Sequence, residues 1–373
     1  MLVDGRPYRS IWYDARDRSV KIIDQTLLPH DFHIRAITAL DDMVEAIVAM
    51  RVRGAPLIGV AAAYGLYLAL RDNAGDIDGP IAALQATRPT AVNLAWAMSG
   101  ARQVLEPVSA DLRADTALRF ANRLADADVA TCEAIGVHGS RLLEKLWQGR
   151  ADQSRPLQIL THCNAGWLAT VDWGTALAVI YKAQARGIPL HVWVDETRPR
   201  NQGAFLTTWE LQQQGIDCTL IADNTGGHLM QHDMVDCCLV GSDRTTASGD
   251  VCNKIGTYLK ALAAADNNVP FYVALPLSTI DFAIHDGLRE IPIEQRDAVE
   301  VTRIAGLDQQ GVRREVQLAN PDTRAGNYAF DVTPARLVTA LITEAGSCRA
   351  TAPAIAELRD AARSGVGSSG RSL

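Results

Sequence analysis

Along the first half of the chain, apolar positions recur at helical spacing. From Asp41 to Met50 they fall three and four residues apart behind a polar start, which predicts an amphipathic helix. From Ala55 to Leu70 the chain is apolar almost all round, which predicts a buried helix rather than a surface one. That run carries Pro56, Gly59 and Gly65 and is too short to span a membrane. Helical patterning continues over 93–105 and 114–147, and a β-prone piece at 19–23 predicts a small sheet at the front. At 148–156 (QGRADQSRP) the chain turns polar and gains Gly and Pro, so a domain boundary is expected there.

Beyond that boundary the rhythm changes. Strand-length apolar runs stand at 157–161, 190–194, 218–222, 237–241 and 271–274. Helical patterns at 175–186, 204–214, 226–233 and 253–265 separate them. Near-continuous apolar strands alternating with helices predict an α/β fold, with a parallel sheet covered by helices on both faces. The expected layout is a mainly helical N-terminal domain with a small sheet (1–150) and a parallel-sheet C-terminal domain (151–350). A disordered tail is expected over 351–373, where the chain ends in the small, polar stretch RSGVGSSGRSL.

Composition narrows the partners. The 373 residues are many for one hydrophobic core, in keeping with two domains. With 36 basic against 43 acidic residues, a formal charge of −7 and no long basic run, nucleic acid and anionic membrane are poor partners. Any anion must be met by a local cluster of positive groups. The 7 cysteines are scattered without CxxC spacing, which argues against a disulfide framework or zinc ribbon and for a reducing compartment. No basic-then-apolar leader pattern opens the chain, so the cytoplasm is the expected location. Cys237 and Cys238, neighbours in VDCCLVG, are expected to pack on opposite faces of one strand.

Parallel sheets place their sites at the C-terminal ends of the strands. The predicted strands end in Thr161-His162-Cys163-Asn164, Asp195-Glu196-Thr197-Arg198, Asp223-Asn224-Thr225 and Ser242-Asp243-Arg244. One such polar end is ordinary helix capping; several together point to a shared crevice. Neither GxGxxG nor GxxxxGK[ST] occurs, so dinucleotide and nucleoside triphosphate sites are unsupported. Three places suit an anion: Asn253-Lys254 at an expected helix start, Arg53-Gly54-Ala55 before the buried helix, and Arg88. For Lys254 surface solvation is an equal reading, and for either arginine taken by itself it is the better one. Asp243 at the lip of an apolar strand either stays protonated through desolvation, caps the next element, or pairs with Arg244. Cys163 is either core packing or a reactive thiol. His162 is no dyad partner for it, because adjacent strand residues face apart.

The segments MRVRGAPLIGVAAAYG, ATRPTAVNLAWAM, LTHCNAG, VDETRPRNQGA, GSDRTTASGDVCNKIGTY, FYVALPLSTID and EIPIEQR closely resemble the methylthioribose-1-phosphate isomerases of methionine salvage. They run from Met50 to Arg296, and FDVTPARLVTALITE extends the likeness toward Glu344. The resemblance implies Cys163 and Asp243 as the catalytic pair. It implies substrate contacts at Arg53, Gly54, Ala55, Arg88, Gln202, Asn253 and Lys254. It implies, too, a Rossmann-like C-terminal domain, a homodimer and a small sugar phosphate as substrate. The DNTGG and SDRTTASGD stretches depart slightly from the family pattern, and LANPDTRAGNYAFD looks enlarged.

The implied reaction opens a cyclic acetal phosphate and moves hydrogen from C2 to C1. An acid at the ring oxygen suits Asp243, and Cys163 suits a base or a transition-state partner. The scheme requires no metal and no nicotinamide or other cofactor. Rival substrates are ribose 1,5-bisphosphate and 5-deoxyribose 1-phosphate. A rival of another class is a non-catalytic phosphosugar- or nucleotide-sensing subunit like those of the translation initiation exchange factor; an intact Cys163 and Asp243 speaks against it.

Overall fold

The computed structural model describes residues 1–367. At the front, β1 (Ile11–Asp14), β2 (Ser19–Ile23) and β3 (Ile34–Ile37) pair antiparallel. Five helices follow: α1 (Leu40–Val48), α2 (Ala55–Asp72), α3 (Asp78–Thr87), α4 (Val92–Leu105) and α5 (Ala110–Gln148). With apolar residues on every side, α2 has no face to offer water and lies in the middle, packed against α1, α4 and α5. A polar link then leads to the second half.

There the chain alternates as expected: β4 (Leu157–Thr161), α6 (Ala176–Ala185), β5 (Leu190–Asp195), α7 (Thr208–Gln213), β6 (Cys218–Ile221), α8 (Thr225–Gln231) and β7 (Cys237–Val240). Next come β8 (Arg244–Thr246), β9 (Val251–Lys254), α9 (Thr257–Asp266), β10 (Phe271–Ala274), β11 (Ile280–Asp281), β12 (Arg303–Leu307) and β13 (Arg313–Gln317). The chain closes with β14 (Phe330–Thr333), β15 (Ala340–Thr343), β16 (Gly346–Cys348) and α10 (Ala352–Gly367).

A 7-stranded sheet runs in the order β16-β15-β10-β7-β4-β5-β6, parallel throughout except for β16. The fold is therefore α/β, a helical N-terminal region joined to a large, mostly parallel sheet. Cys237 packs on one face with Ile159 and Val192, and Cys238 on the other with Leu160 and Phe271. A smaller sheet, β11-β8-β9-β14, stands beside the large one, and β12 pairs with β13 as an exposed hairpin. Packing is continuous across 149–156, because Ile23, Leu28, Ile135 and Leu143 share one core with Leu157, Ile159 and Trp167. Among the described residues no helix is long and apolar enough to cross a membrane.

Two expectations are corrected. The stretch 351–373 is not a disordered tail throughout: α10 covers Ala352–Gly367 and buries Ile355, because APAIAELRDAAR is rich in helix formers. Residues 368–373 lie outside the described range. The helix expected over 253–265 begins later. Val251 and Cys252 instead pair antiparallel with β8 and β14, so Asn253 and Lys254 end a strand. Gly256, at φ +101°, turns the chain into α9.

Candidate active site

The C-terminal ends of β4 and β7, the end of β9 and the start of α2 meet around a cleft of ≈ 670 Å³. Cys163 and Asp243 both line it, as do Arg53, Gly54, Ala55 and Arg88. Gln202, Asn253 and Lys254 complete the wall. Every residue expected at the site is thus brought into one cavity, from segments as far apart in the sequence as Arg53 and Lys254.

Cys163 leaves β4 at φ +66°, a left-handed conformation that costs a non-glycine residue about 1 kcal/mol. Side chains from the segment that follows β5 hold it there. Its N–H donates to Thr197 Oγ1 at 2.8 Å, and its carbonyl accepts from Thr207 Oγ1 at 2.7 Å. The thiol donates to Gln202 Oε1 at 3.0 Å. Burial pushes the Cys163 thiol above its ordinary range, and Arg53 and Lys254 only partly offset this. His162 turns away. Its Nδ1 meets Asp195 Oδ2 and its Nε2 meets the Ile255 carbonyl, both at 2.8 Å.

Asp243 follows β7 and donates its N–H to the Cys252 carbonyl at 3.0 Å. It caps no helix, since a strand follows it. Arg244 is paired with Asp281 instead, by a contact of 2.5 Å. Burial therefore raises the Asp243 carboxyl above its ordinary value, with Lys254, Arg88 and Arg53 opposing. Of the three readings left open by sequence, the helix cap and the Arg244 pair fall away.

Arg53, Arg88 and Lys254 make one side of the cleft cationic. Buried Arg53 donates from Nη1 and Nη2 to the Asn164 carbonyl at 3.1 and 3.0 Å, and Nη2 also reaches Asn164 Oδ1. Arg88 pairs through Nη2 with Glu294 Oε2 at 3.0 Å. In both arginines Nε is buried and without a partner among the described residues. An unpaired buried donor is costly, so each Nε is a local strain on the site. Between them lies the N-terminus of α2, where Gly54 sits at φ +99°. A Cβ there would stand 2.4 Å from the Ala169 carbonyl oxygen, so only glycine fits. Free amides and the positive end of an 18-residue helix face the cavity. Lys254 Nζ lies 4.8 Å from the centre of the Phe330 ring, and burial pulls its pKa below the usual lysine range.

Some residues that shape the site were not found by sequence reasoning. Glu210 is wholly buried beneath the cleft floor. It accepts from Asn164 Nδ2 (2.8 Å), Trp167 N (2.8 Å), Leu168 N (3.1 Å) and Tyr181 Oη (3.0 Å). A glutamate inside the otherwise apolar start of TWELQQ was the available signal. Glu294, the partner of Arg88, carried no local signal, because 206 positions separate them.

Known proteins align with this arrangement. The pattern of the Initiation factor 2 subunit family matches residues 51–350. A protein of Methylorubrum populi named methylthioribose-1-phosphate isomerase is 57% identical over 360 residues, covering 96% of this chain and 98% of its own. One of the same name from Escherichia coli is 55% identical, with 96% of each chain covered. Among solved structures, the 5-methylthioribose 1-phosphate isomerase of Pyrococcus horikoshii superposes with a TM-score of 0.80 at 36% identity, over 95% of this chain and 96% of its own. A structure from A. fulgidus described as translation initiation factor eIF-2B, subunit delta, gives 0.75 at 37% identity, over 94% of this chain and 100% of its own. The chain belongs to the Initiation factor 2 subunit family and, within it, to the methylthioribose-1-phosphate isomerases.

Proposed function

We propose that the protein converts S-methyl-5-thio-α-D-ribose 1-phosphate into S-methyl-5-thio-D-ribulose 1-phosphate, a step of methionine salvage, with Asp243 and Cys163 as catalytic residues. What supports this most is the pairing, in one cleft, of a carboxyl and a thiol whose charged forms burial disfavours with two arginines and a helix N-terminus. The phosphate on C1 takes the Arg53, Arg88 and Lys254 side with the Gly54–Ala55 amides; Gln202 and Asn253 hold sugar hydroxyls.

Asp243 enters protonated and gives its proton to the ring oxygen as the C1–O bond breaks. A phosphate dianion in the cleft pushes Asp243 and Cys163 further toward their neutral forms. Neither group is then a resting base. The hydrogen accordingly passes from C2 to C1 with its electron pair, and Asp243, now a carboxylate, takes the C2 hydroxyl proton as the ketone forms. Atoms and electrons balance within the substrate, and Asp243 ends as it began. Cys163 donates its S–H beside the reacting carbons. In D₂O the ketose should carry no deuterium at C1; one deuterium there makes Cys163 a base and sinks the direct shift.

A side chamber of ≈ 490 Å³ opens off the cleft next to Asp243, lined by Ile58, Ala91, Ile291, Pro292 and Phe330. Its cations, Arg88 and Arg244, are already paired with Glu294 and Asp281. Such walls suit a methylthio group and leave a second phosphate without counter-charge. Turnover of a substrate panel tests the assignment: kcat/KM for the methylthio sugar should exceed that for ribose 1,5-bisphosphate by at least about a hundredfold. Absence of any ketose phosphate product would leave a sensing subunit as the better reading. A cytoplasmic homodimer is the form this function carries, on the family likeness and on the unpaired state of all 7 cysteines.

A further inference from the structure

Arg88 reaches the cleft from the loop after α3, with nothing on its own segment to hold it. Its only charged partner among the described residues is Glu294, and from there charges alternate outward. Glu294 Oε1 accepts from Arg296 Nη1 at 2.8 Å, and Arg296 Nη2 donates to Glu300 Oε1 at 2.8 Å. Glu300 Oε1 also takes Arg200 Nη1 at 2.8 Å, while its Oε2 takes Asn327 Nδ2 at 2.9 Å. Burial works the other way, yet the Arg296 and Arg200 guanidiniums hold Glu300 at about 2. The backbone is pinned alongside, with Ala329 N donating to the Glu294 carbonyl and Arg296 N to that of Asn327, both at 2.9 Å. The chain ends at Arg200, two residues before the Gln202 that accepts the Cys163 thiol.

We propose that Glu294 is a positioning residue: braced by Arg296–Glu300–Arg200, it holds the Arg88 guanidinium by one Nη at the wall of the cleft, so that the rest of the fork is set for the substrate phosphate. A guanidinium is a rigid planar fork, so fixing one nitrogen fixes the direction of the others. Without Glu294 the long side chain regains its rotamers and meets the phosphate only part of the time. The effect falls on binding, since the phosphate is equally charged in substrate and transition state. Glu294 stands 21% exposed on a loop, so the isosteric Glu294→Gln change leaves the core intact.

The test is a double-mutant cycle on the full chain. Glu294→Gln should raise KM about tenfold with kcat within about threefold. In an Arg88→Ala background the same change should move KM by less than about twofold. Glu294→Asp, which keeps the charge, should recover most of the loss, and it carries the test if Glu294→Gln does not fold. A tenfold loss in both backgrounds, an unchanged KM beside intact Arg88, or an Asp variant as poor as Gln overturns the proposal. The kinetic readout rests on the function proposed above; calorimetric titration with inorganic phosphate does not. Phosphate binding weakened by Glu294→Gln only where Arg88 is present upholds the positioning role even if thioribose phosphate proves not to be the substrate. Equal phosphate binding in wild type and Glu294→Gln removes it.

Discussion

Asp243→Asn is expected to cut kcat by about a thousandfold while substrate still binds within a few-fold of wild type. The change keeps the shape and removes only the transferable proton. Because burial raises the carboxyl, wild-type activity should fall on the alkaline side as pH rises through that shifted value. Lys254, Arg88, Arg53, Glu294 and the two cysteines at 163 and 252 face this group, so the limb is read on the whole cluster. The same variant should be more stable than wild type at neutral pH. The sign follows from linkage: a carboxyl whose folded pKa lies above its unfolded value costs stability between those two values and beyond. Asparagine has no such cost, so the gain should be present at pH 8 and vanish near pH 3. A variant that keeps turning over, or that is destabilised at neutral pH, removes Asp243 as the acid.

Cys163→Ala is expected to cost about a hundred- to a thousandfold in kcat, with KM changed much less. The Thr197 and Thr207 bonds go to the backbone of Cys163, so the loop survives truncation of the thiol. Only Gln202 Oε1 loses its donor, and it lies at the cleft, where water can replace the S–H. The outcome is read by single-turnover kinetics with the folded state checked by thermal unfolding. Near-full kcat in a folded Cys163→Ala protein rules the thiol out of the chemistry.

Local patterning carried the framework further than the details. β4 at Leu157–Thr161, β10 at Phe271–Ala274 and the buried helix from Ala55 were legible because each is mostly apolar and bounded by polar or Gly/Pro residues. The β8, β9 and β14 strands were not, since each is short and β9 meets β14 only from far along the chain. Asn253 and Lys254 line the cleft, but from a strand end rather than a helix start. At the level of chemistry, the residues at the strand ends were readable one by one, whereas their protonation was not. Whether Asp243 pairs with Arg244 depends on Asp281, and nothing near either residue announces that competition.

Glu210 sets a limit on how this scaffold can be altered. Each of its oxygens takes two hydrogen bonds, from Asn164 and Leu168 on one and from Trp167 and Tyr181 on the other. Losing any one donor strands part of a charge away from water, and losing the carboxylate orphans every donor at once. Such a hub is inherited or discarded as a block. Engineering toward other sugar phosphates should therefore redraw the outer chamber around Ile291 and Phe330, and leave the layer under Asn164 as it stands.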